Sequence, residues 1–363
     1  MPTEKKSDPL QASAGSVQPN PWRDLTDPRR AADVDDLEAG LKDPVFESLE
    51  IPESFGPVTV TVDDHKIKRF AFTQDDYNAW TLEASPFDGR RVGHACLLGN
   101  DLLQLFTLKY AGSKTVGFHT EEQMWFDSPV FLGEQVTLSG SYTQAYERRG
   151  QGYVIMQARA VGEDGRSIIR HRGVEILRTV PGAIAGRGSG KPDRKVTGDV
   201  PADARRIESV DSDIRVNDVL APLGKVITAE QAAVFSRIGE FVRNIHSDFV
   251  VARQGELRLP IVQGQQQVGV LGEYMTRAFG RHWLTGGWIR VKFINTLEVF
   301  DPISVQATVT EVTEVPGGQR VDLDVWIRRQ SDRNLTTVGW ASCVLPHAGA
   351  DGRQPRHAAG DVR

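Results

Sequence analysis

Apolar and polar positions alternate along this chain in two periods, and the order in which the periods appear repeats. From Arg29 to Leu49 the apolar residues Ala31, Val34, Leu37, Leu41, Val45 and Leu49 recur at roughly helical spacing, which predicts a short helix leading into the folded part. Two longer apolar stretches follow, one from Val92 to Tyr110 and one from Ile261 to Gly280, and the spacing predicts long buried helices at about 93–110 and 262–279. Each is followed by segments that alternate in and out with β-branched and aromatic residues. These are 121–130, 134–148, 152–163 and 166–178 in the first half, and 287–299, 302–315, 320–330 and 335–346 in the second. The turn signals EDGR and VPGGQR lie between strands, where hairpins call for a glycine at positive φ.

The two halves superpose in sequence. Phe126 falls on Phe293, Val136 on Ile303, and the helix starts Gly93 and Val262 correspond at nearly the same offset of roughly 165–169 residues. One unit therefore appears twice, each an antiparallel sheet wrapped around a central helix, and pairing the two units edge to edge leaves no exposed edge at the joint. The fold class is α+β. Boundaries follow from composition: a polar N-terminal tail over 1–28, a first repeat over 29–178, a Gly-, Pro- and charge-rich linker over 179–210, a second repeat over 211–347 and a polar tail over 348–363.

Charge and composition narrow the function. The 363 residues are 39% hydrophobic and 25% charged, with 43 Lys+Arg against 48 Asp+Glu and a net charge of -5. No basic block tracks a phosphate backbone, so nucleic acid is not an expected partner. Cys96 and Cys343 provide neither a disulfide framework nor a CxxC pair, so no metal is expected and a cytoplasmic location is. With neither an apolar signal core nor an 18-residue apolar span, export and membrane insertion are not expected.

Candidate chemistry concentrates in Glu240-Phe-Val-Arg-Asn-Ile-His246-Ser-Asp248 and, some fifteen residues later, Leu259-Pro-Ile-Val-Gln-Gly264 at the mouth of the second helix. A histidine beside a glycine at a helix N-terminus offers a proton carrier and free backbone N–H groups, which suit an acyl carbonyl that becomes an oxyanion. The segment resembles the MaoC-like, (R)-specific enoyl-CoA hydratase (hydratase 2) family of the hotdog fold, whose motif runs Asp-x-Asn-Pro-Ile-His-x-Asp and then Pro-Ile-x-His-Gly. The resemblance extends from about Phe55 to Pro346 and includes Phe126, Pro129-Val130 and Gly133-Glu134 in the first repeat, with Phe293 and Asp301 in the second. It implies a double hotdog.

Carried over by position, His246 matches the family histidine, Asp248 the following aspartate, Pro260-Ile261 the Pro-Ile pair, and Gly264 the glycine whose N–H binds the thioester oxygen. The catalytic aspartate position holds Phe241 and the asparagine position Arg243; a one-residue shift of the loop brings Glu240 to the aspartate position and displaces Asn244. Gln263 replaces the histidine before the glycine. In the first repeat Asp76 and Asn78 keep Asp-x-Asn, Thr81 stands at the histidine position, and His94-Ala95 stands at the helix entry.

The resemblance thus implies a hydratase or dehydratase of coenzyme A thioesters, with coenzyme A part of the substrate and no cofactor. His246 and Glu240 are the catalytic candidates, and Gly264, Asn244, Arg243, Gln263 and Asp248 the substrate-binding ones. Asp248 also reads as a helix N-cap, and one of Gln265, Gln266 and Gln267 lines the pocket. His119 and His171 lie on strands of the other half, where structural hydrogen bonds are expected of them. The first half widens the acyl pocket, through Ala95, Cys96, Leu98, Gly99 and Leu102. A thioesterase and a non-catalytic acyl-CoA-binding subunit remain alternatives, and a homodimer of two-repeat chains is a possible assembly.

Overall fold

Strands that bury every second side chain against helices give the molecule its frame. A computed structural model describes residues 38–115, 117–178, 194–236 and 244–347; Glu240 and Arg243 lie outside the described residues, as do both predicted tails. The first half holds β1 (Glu53–Thr61), α1 (Asp64–Gln74), α2 (Ala79–Leu82), α3 (Gly99–Leu103), β2 (Phe118–Phe126), β3 (Gln135–Arg148), β4 (Gln151–Gly162) and β5 (Ser167–Arg178). The second holds β6 (Arg206–Ile207), β7 (Val219–Leu220), β8 (Leu223–Val226), α4 (Ala229–Ser236), α5 (Phe249–Gln254), α6 (Gly264–Phe279), α7 (Trp283–Gly286), β9 (Trp288–Phe293), β10 (Pro302–Val315), β11 (Gly318–Arg329) and β12 (Leu335–Pro346).

All twelve strands form one sheet, in the order β1-β3-β4-β5-β2-β9-β12-β11-β10-β7-β6, with β8 also on β10. The two halves mirror each other across β2 and β9. The long strands match in length, 14 residues in β3 and β10 and 12 in β4, β5, β11 and β12, so the sequence repeat is a structural repeat. The antiparallel joint pairs Glu121 with Lys292, Gln123 with Arg290 and Trp125 with Trp288, which removes both central edges from solvent. Alternation places Val136 and Leu138, and correspondingly Ile303 and Val305, in one continuous core.

The second central helix forms nearly where the periodicity puts it and packs on β2, β10 and β12. The first does not. Instead of a helix over 93–110, five α-helical residues, Gly99–Leu103, pass into a 3-10 turn at Gln104–Leu108. Gly99, Asn100 and Asp101 are weak helix formers, no side chain caps the start, and the fully buried Asp101 is committed to Lys66 Nζ at 2.6 and 2.8 Å. The helix predicted at 29–49 is also missing from its described part, where only Phe46–Ser48 make a 3-10 turn; Gly40 at φ +83° and Pro44 interrupt the winding. Residues 194–210, read as linker, pack along the second half: Val196 is buried with Trp326 and Val338, and β6 runs parallel to β7.

Polar bridges fix the two halves against each other around α6. Lys225 Nζ donates to the carbonyls of Gln74 and Asp75 at the end of α1, at 2.5 and 2.8 Å, and pairs with Glu273 on α6 at 2.6 Å. Gln266 Nε2 donates to the Thr73 carbonyl at 2.9 Å, and Gln231 Nε2 to that of Phe72 at 3.0 Å. α6 is thereby held against the end of α1 in the other half.

Candidate active site

Three short turns bring the second-half motif to the mouth of α6. Asn244 Oδ1 accepts from the His246 N–H at 2.8 Å and the Ser247 hydroxyl at 3.2 Å, and Asp248 Oδ1 caps α5 by accepting from Val250 and Val251 N–H at 2.8 and 3.1 Å. Ile261 N–H donates to the Ile245 carbonyl, and Val262 N–H to that of Leu297, so the entry to α6 is pinned on both sides.

His246 Nδ1 lies 2.7 Å from the Ile261 carbonyl oxygen. A carbonyl only accepts, so Nδ1 carries the proton and Nε2 keeps its lone pair in the neutral ring. Burial lowers the His246 pKa to about 4, with the Ile261 bond acting against that shift, so the ring is neutral at pH 7 and competent as a base. Three residues on, α6 begins. Its first intrahelical bond runs from Gln267 N–H to the Gln263 carbonyl, and Gln263 makes no side-chain cap, which leaves the N–H groups of Gly264, Gln265 and Gln266 without an acceptor in the helix. The Gln263 Oε1 is itself buried and has no partner among the described residues.

Gly264 is a glycine because its neighbours come too close for any side chain. A Cβ there would sit 2.9 Å from Cε2 and Cζ of Phe293 and 3.1 Å from Nδ1 of His119. Of the three glutamines that follow, Gln267 Oε1 accepts from the Thr337 hydroxyl at 2.7 Å and Gln266 braces α1, whereas Gln265 Nε2 has no partner among the described residues.

The structure thus brings His246, Asn244, Gln263 and Gly264 together and turns Asp248 to capping. The acyl channel expected along the first-half helix is closed in this conformation: Cys96, Leu98 and Leu102 are buried, and a Cβ on Gly99 would meet Met124 Cε at 2.6 Å. A cavity of about 10 Å³, room for one water, remains beside His94, Ala95 and Leu98. At that first-half mouth His94 Nδ1 accepts from Cys96 N–H at 3.0 Å and His94 Nε2 lies 3.8 Å from Asp76, while Asn78 caps α2 and holds the Thr81 hydroxyl.

Sequence reasoning missed a buried charged cluster on the inner face of the joint. His119 Nε2 lies 3.0 Å from both the Glu121 carbonyl and Glu122 Oε2, and His171 Nε2 is also 3.0 Å from Glu122 Oε2. Glu175 stands opposite His119 on β5. Burial pushes the Glu122 and Glu175 carboxyls up to about 7, the neighbouring His119 opposing it for Glu122, and pushes His171 down to about 4. Glu122 shares its face with Met124 and Phe126, and His171 shares its own with Ile169. A charge recurring at the buried phase of an otherwise apolar alternation was the available signal. Among the described residues no group of three His, Cys, Asp or Glu side chains is arranged to hold a metal ion, and no helix is long and apolar enough to cross a membrane.

No family model and no curated protein matches the sequence. Solved structures do match. A MaoC-like dehydratase is 13% identical over 85% of this chain and 99% of its own, with a TM-score of 0.62. A putative MaoC domain protein dehydratase from Chloroflexus aurantiacus is 12% identical over 84% and 98%, also at 0.62. A conserved hypothetical protein from Mycobacterium tuberculosis, described as having a double hotdog fold, is 13% identical over 83% and 98%, at 0.57. The chain has the double hotdog fold of these proteins, as the resemblance in its sequence implies.

Proposed function

We propose that this chain is a hydratase/dehydratase of coenzyme A thioesters, interconverting a 2-enoyl and a 3-hydroxyacyl group at the mouth of α6. The observation that carries the reading is His246: its Nδ1 is tied to the Ile261 carbonyl, three residues before the free N–H groups of the helix start. An imidazole fixed in the basic tautomer next to an unoccupied set of donors is what hydration of a conjugated thioester requires. The N–H of Gly264 polarises the thioester carbonyl, which makes C3 electrophilic and C2 acidic, and His246 Nε2 takes a proton from the attacking water. No oxidation state changes, so these roles ask for no redox cofactor. The matching solved structures named as dehydratases support the reading through their shared fold.

Asn244 shapes the His246 turn, and Gln263 offers its buried amide oxygen to the substrate side. The two cysteines are buried free thiols, in keeping with a cytoplasmic enzyme. The test is a screen of crotonyl-, longer enoyl- and aryl-enoyl-CoA for loss of enoyl absorbance, with free thiol followed in parallel. Enoyl loss without thiol release supports the hydratase. Thiol release identifies a thioesterase, and tight binding without either product identifies a non-catalytic acyl-CoA-binding subunit.

A further inference from the structure

Adding water across a conjugated double bond needs a group that takes a proton from water and a group that gives one to C2. Among the described residues the second half offers His246 for the first task, while Asp248 caps α5 and Glu298, paired with Ile261 at the entry to α6, is held by Arg258; Glu240 lies outside the described residues. We propose that the first half supplies the second group: His119, on the joint strand β2, exchanges the C2 proton, and Glu122 orients His119 and balances its charge. The proposal rests on the hydratase reading and makes the site a composite of both repeats.

Position comes first. The β2–β9 pairing carries β2 past the start of α6, so that His119 Nδ1 comes within 3.1 Å of where a Gly264 side chain would begin, and the His119 ring packs on Phe293 at 4.9 Å. Its Nε2 hydrogen-bonds the Glu121 carbonyl and lies 3.0 Å from Glu122 Oε2, which makes no hydrogen bond among the described residues, while Nδ1 is buried and has no partner among them. His119 and His246 are therefore held alike, each tied through one nitrogen to a backbone carbonyl and presenting the other at the two ends of the segment Ile261–Gly264.

The company of Glu122 argues against a role in packing alone. It is 0% exposed, on the apolar face of a strand, where an unpaired carboxylate costs several kcal/mol and an apolar residue would fill the space without that cost. Two imidazoles approach the same oxygen, and the cross-strand neighbour is Gly173, where a Cβ would stand 3.2 Å from His171 Nε2 and 3.5 Å from Glu122 Oε2. The fold has left room for this cluster. His171 is 2% exposed, and its Nε2 lies 3.0 Å from Glu122 Oε2 without forming a hydrogen bond.

Water oxygen bonds to C3 as its proton passes to His246 Nε2, and the C2=C3 electron pair moves to the thioester oxygen, held by the N–H groups of α6. The enolate then takes a proton at C2 from protonated His119 Nδ1, leaving that ring neutral with its Nε2–H on the Glu121 carbonyl. Solvent carries the proton from His246 back to His119, and the net change is one water added. Elimination is the reverse.

The experiment follows two reactions of the full chain: hydration of crotonyl-CoA, and C2 hydrogen–deuterium exchange of butyryl-CoA in D2O by proton NMR, which involves no hydration. His119→Ala is expected to lose about 100-fold or more in both reactions, His246→Ala to lose hydration while keeping exchange, and Glu122→Gln to lower exchange with little change in KM. Circular dichroism and thermal melting establish folding, and His119→Gln, which keeps an amide donor for Glu122, serves if the alanine variant is unstable. Wild-type exchange rates in a folded His119 variant overturn the proposal and leave the hydratase reading standing. Exchange that depends on His119 in a chain that hydrates no enoyl thioester overturns the hydratase reading and upholds His119 as the C2 base, whereas absence of both reactions in the wild type overturns both.

Discussion

Gly264→Ala is the substitution for which the geometry gives the sharpest expectation. The new methyl carbon would lie 2.9 Å from two ring carbons of Phe293, against the roughly 3.5–4.0 Å at which carbons attract, and 3.1 Å from His119 Nδ1. Gly264 is the first residue of α6, so alanine gains helix propensity of up to about 1 kcal/mol, whereas overpacking of this kind costs about 1–3 kcal/mol. The overlap wins by about 1–2 kcal/mol. For 363 residues, with an unfolding entropy of about 0.8 kcal/mol/K, that is a fall in Tm of about 1–3 °C. Because the groups displaced are those that face the proposed thioester, kcat is expected to fall about 10–100-fold. Calorimetry and the crotonyl-CoA assay read the two effects, and Phe293→Leu isolates their cause: with the ring carbons gone, Gly264→Ala should cost at least about 0.5 kcal/mol less than it does alone. An unchanged Tm and kcat in Gly264→Ala, or an equal cost in both backgrounds, would refute the argument that close approach demands glycine here.

Other expectations concern the supports of the site. Lys225→Met leaves Glu273 with only Arg277 and uncaps the Gln74 and Asp75 carbonyls, and should lower unfolding stability in urea by about 3 kcal/mol; a loss under 1 kcal/mol would show that the bridge between the halves is dispensable. Asp248→Ala removes the α5 cap and should cost about 1 kcal/mol, with crotonyl-CoA turnover falling by no more than the folded fraction; a 100-fold loss in a fully folded variant would return Asp248 to the chemistry. The His246 pKa is depressed in the fold, so the unfolded chain takes up a proton below about pH 6.5 while the native one waits until about 4, and wild-type stability from this group drains away across that window. The stability of His246→Gln relative to wild type should therefore rise between pH 7 and pH 4.5 in urea titrations, and a constant difference would contradict the burial argument.

The two-unit α+β architecture is legible because two periodicities, strands alternating every second residue and a helical 3.6-residue period, recur in the same order, and the resemblance to the MaoC-like family implies that the units are hotdogs. The first-half helix was not, since Leu97, Leu98, Leu102, Leu103 and Leu105 satisfy a helical pattern whose backbone is governed by Gly99, Asn100 and the buried Asp101–Lys66 pair, a contact 35 residues apart in sequence. Around the candidate site, His246, Asn244 and Gly264 are legible as candidates because short turns and a helix start, which local sequence encodes, place them. The structural hydrogen bond expected of His119 is present, from Nε2 to the Glu121 carbonyl; its approach to Gly264 depends on the pairing of β2 with β9, a contact between halves that no local pattern encodes. Asp248 carried both readings in sequence, and two backbone N–H groups decide for the cap.

The central claim is that His246 is a base acting on a thioester bound at the mouth of α6. The direct measurement is the steady-state hydration of an accepted enoyl-CoA by wild type and His246→Ala at pH 7, with both proteins shown to be folded. Measurable wild-type turnover is expected, with a fall in kcat of about 10²–10⁴ in the variant and KM little changed. A folded His246→Ala protein that hydrates the substrate at the wild-type rate would contradict it.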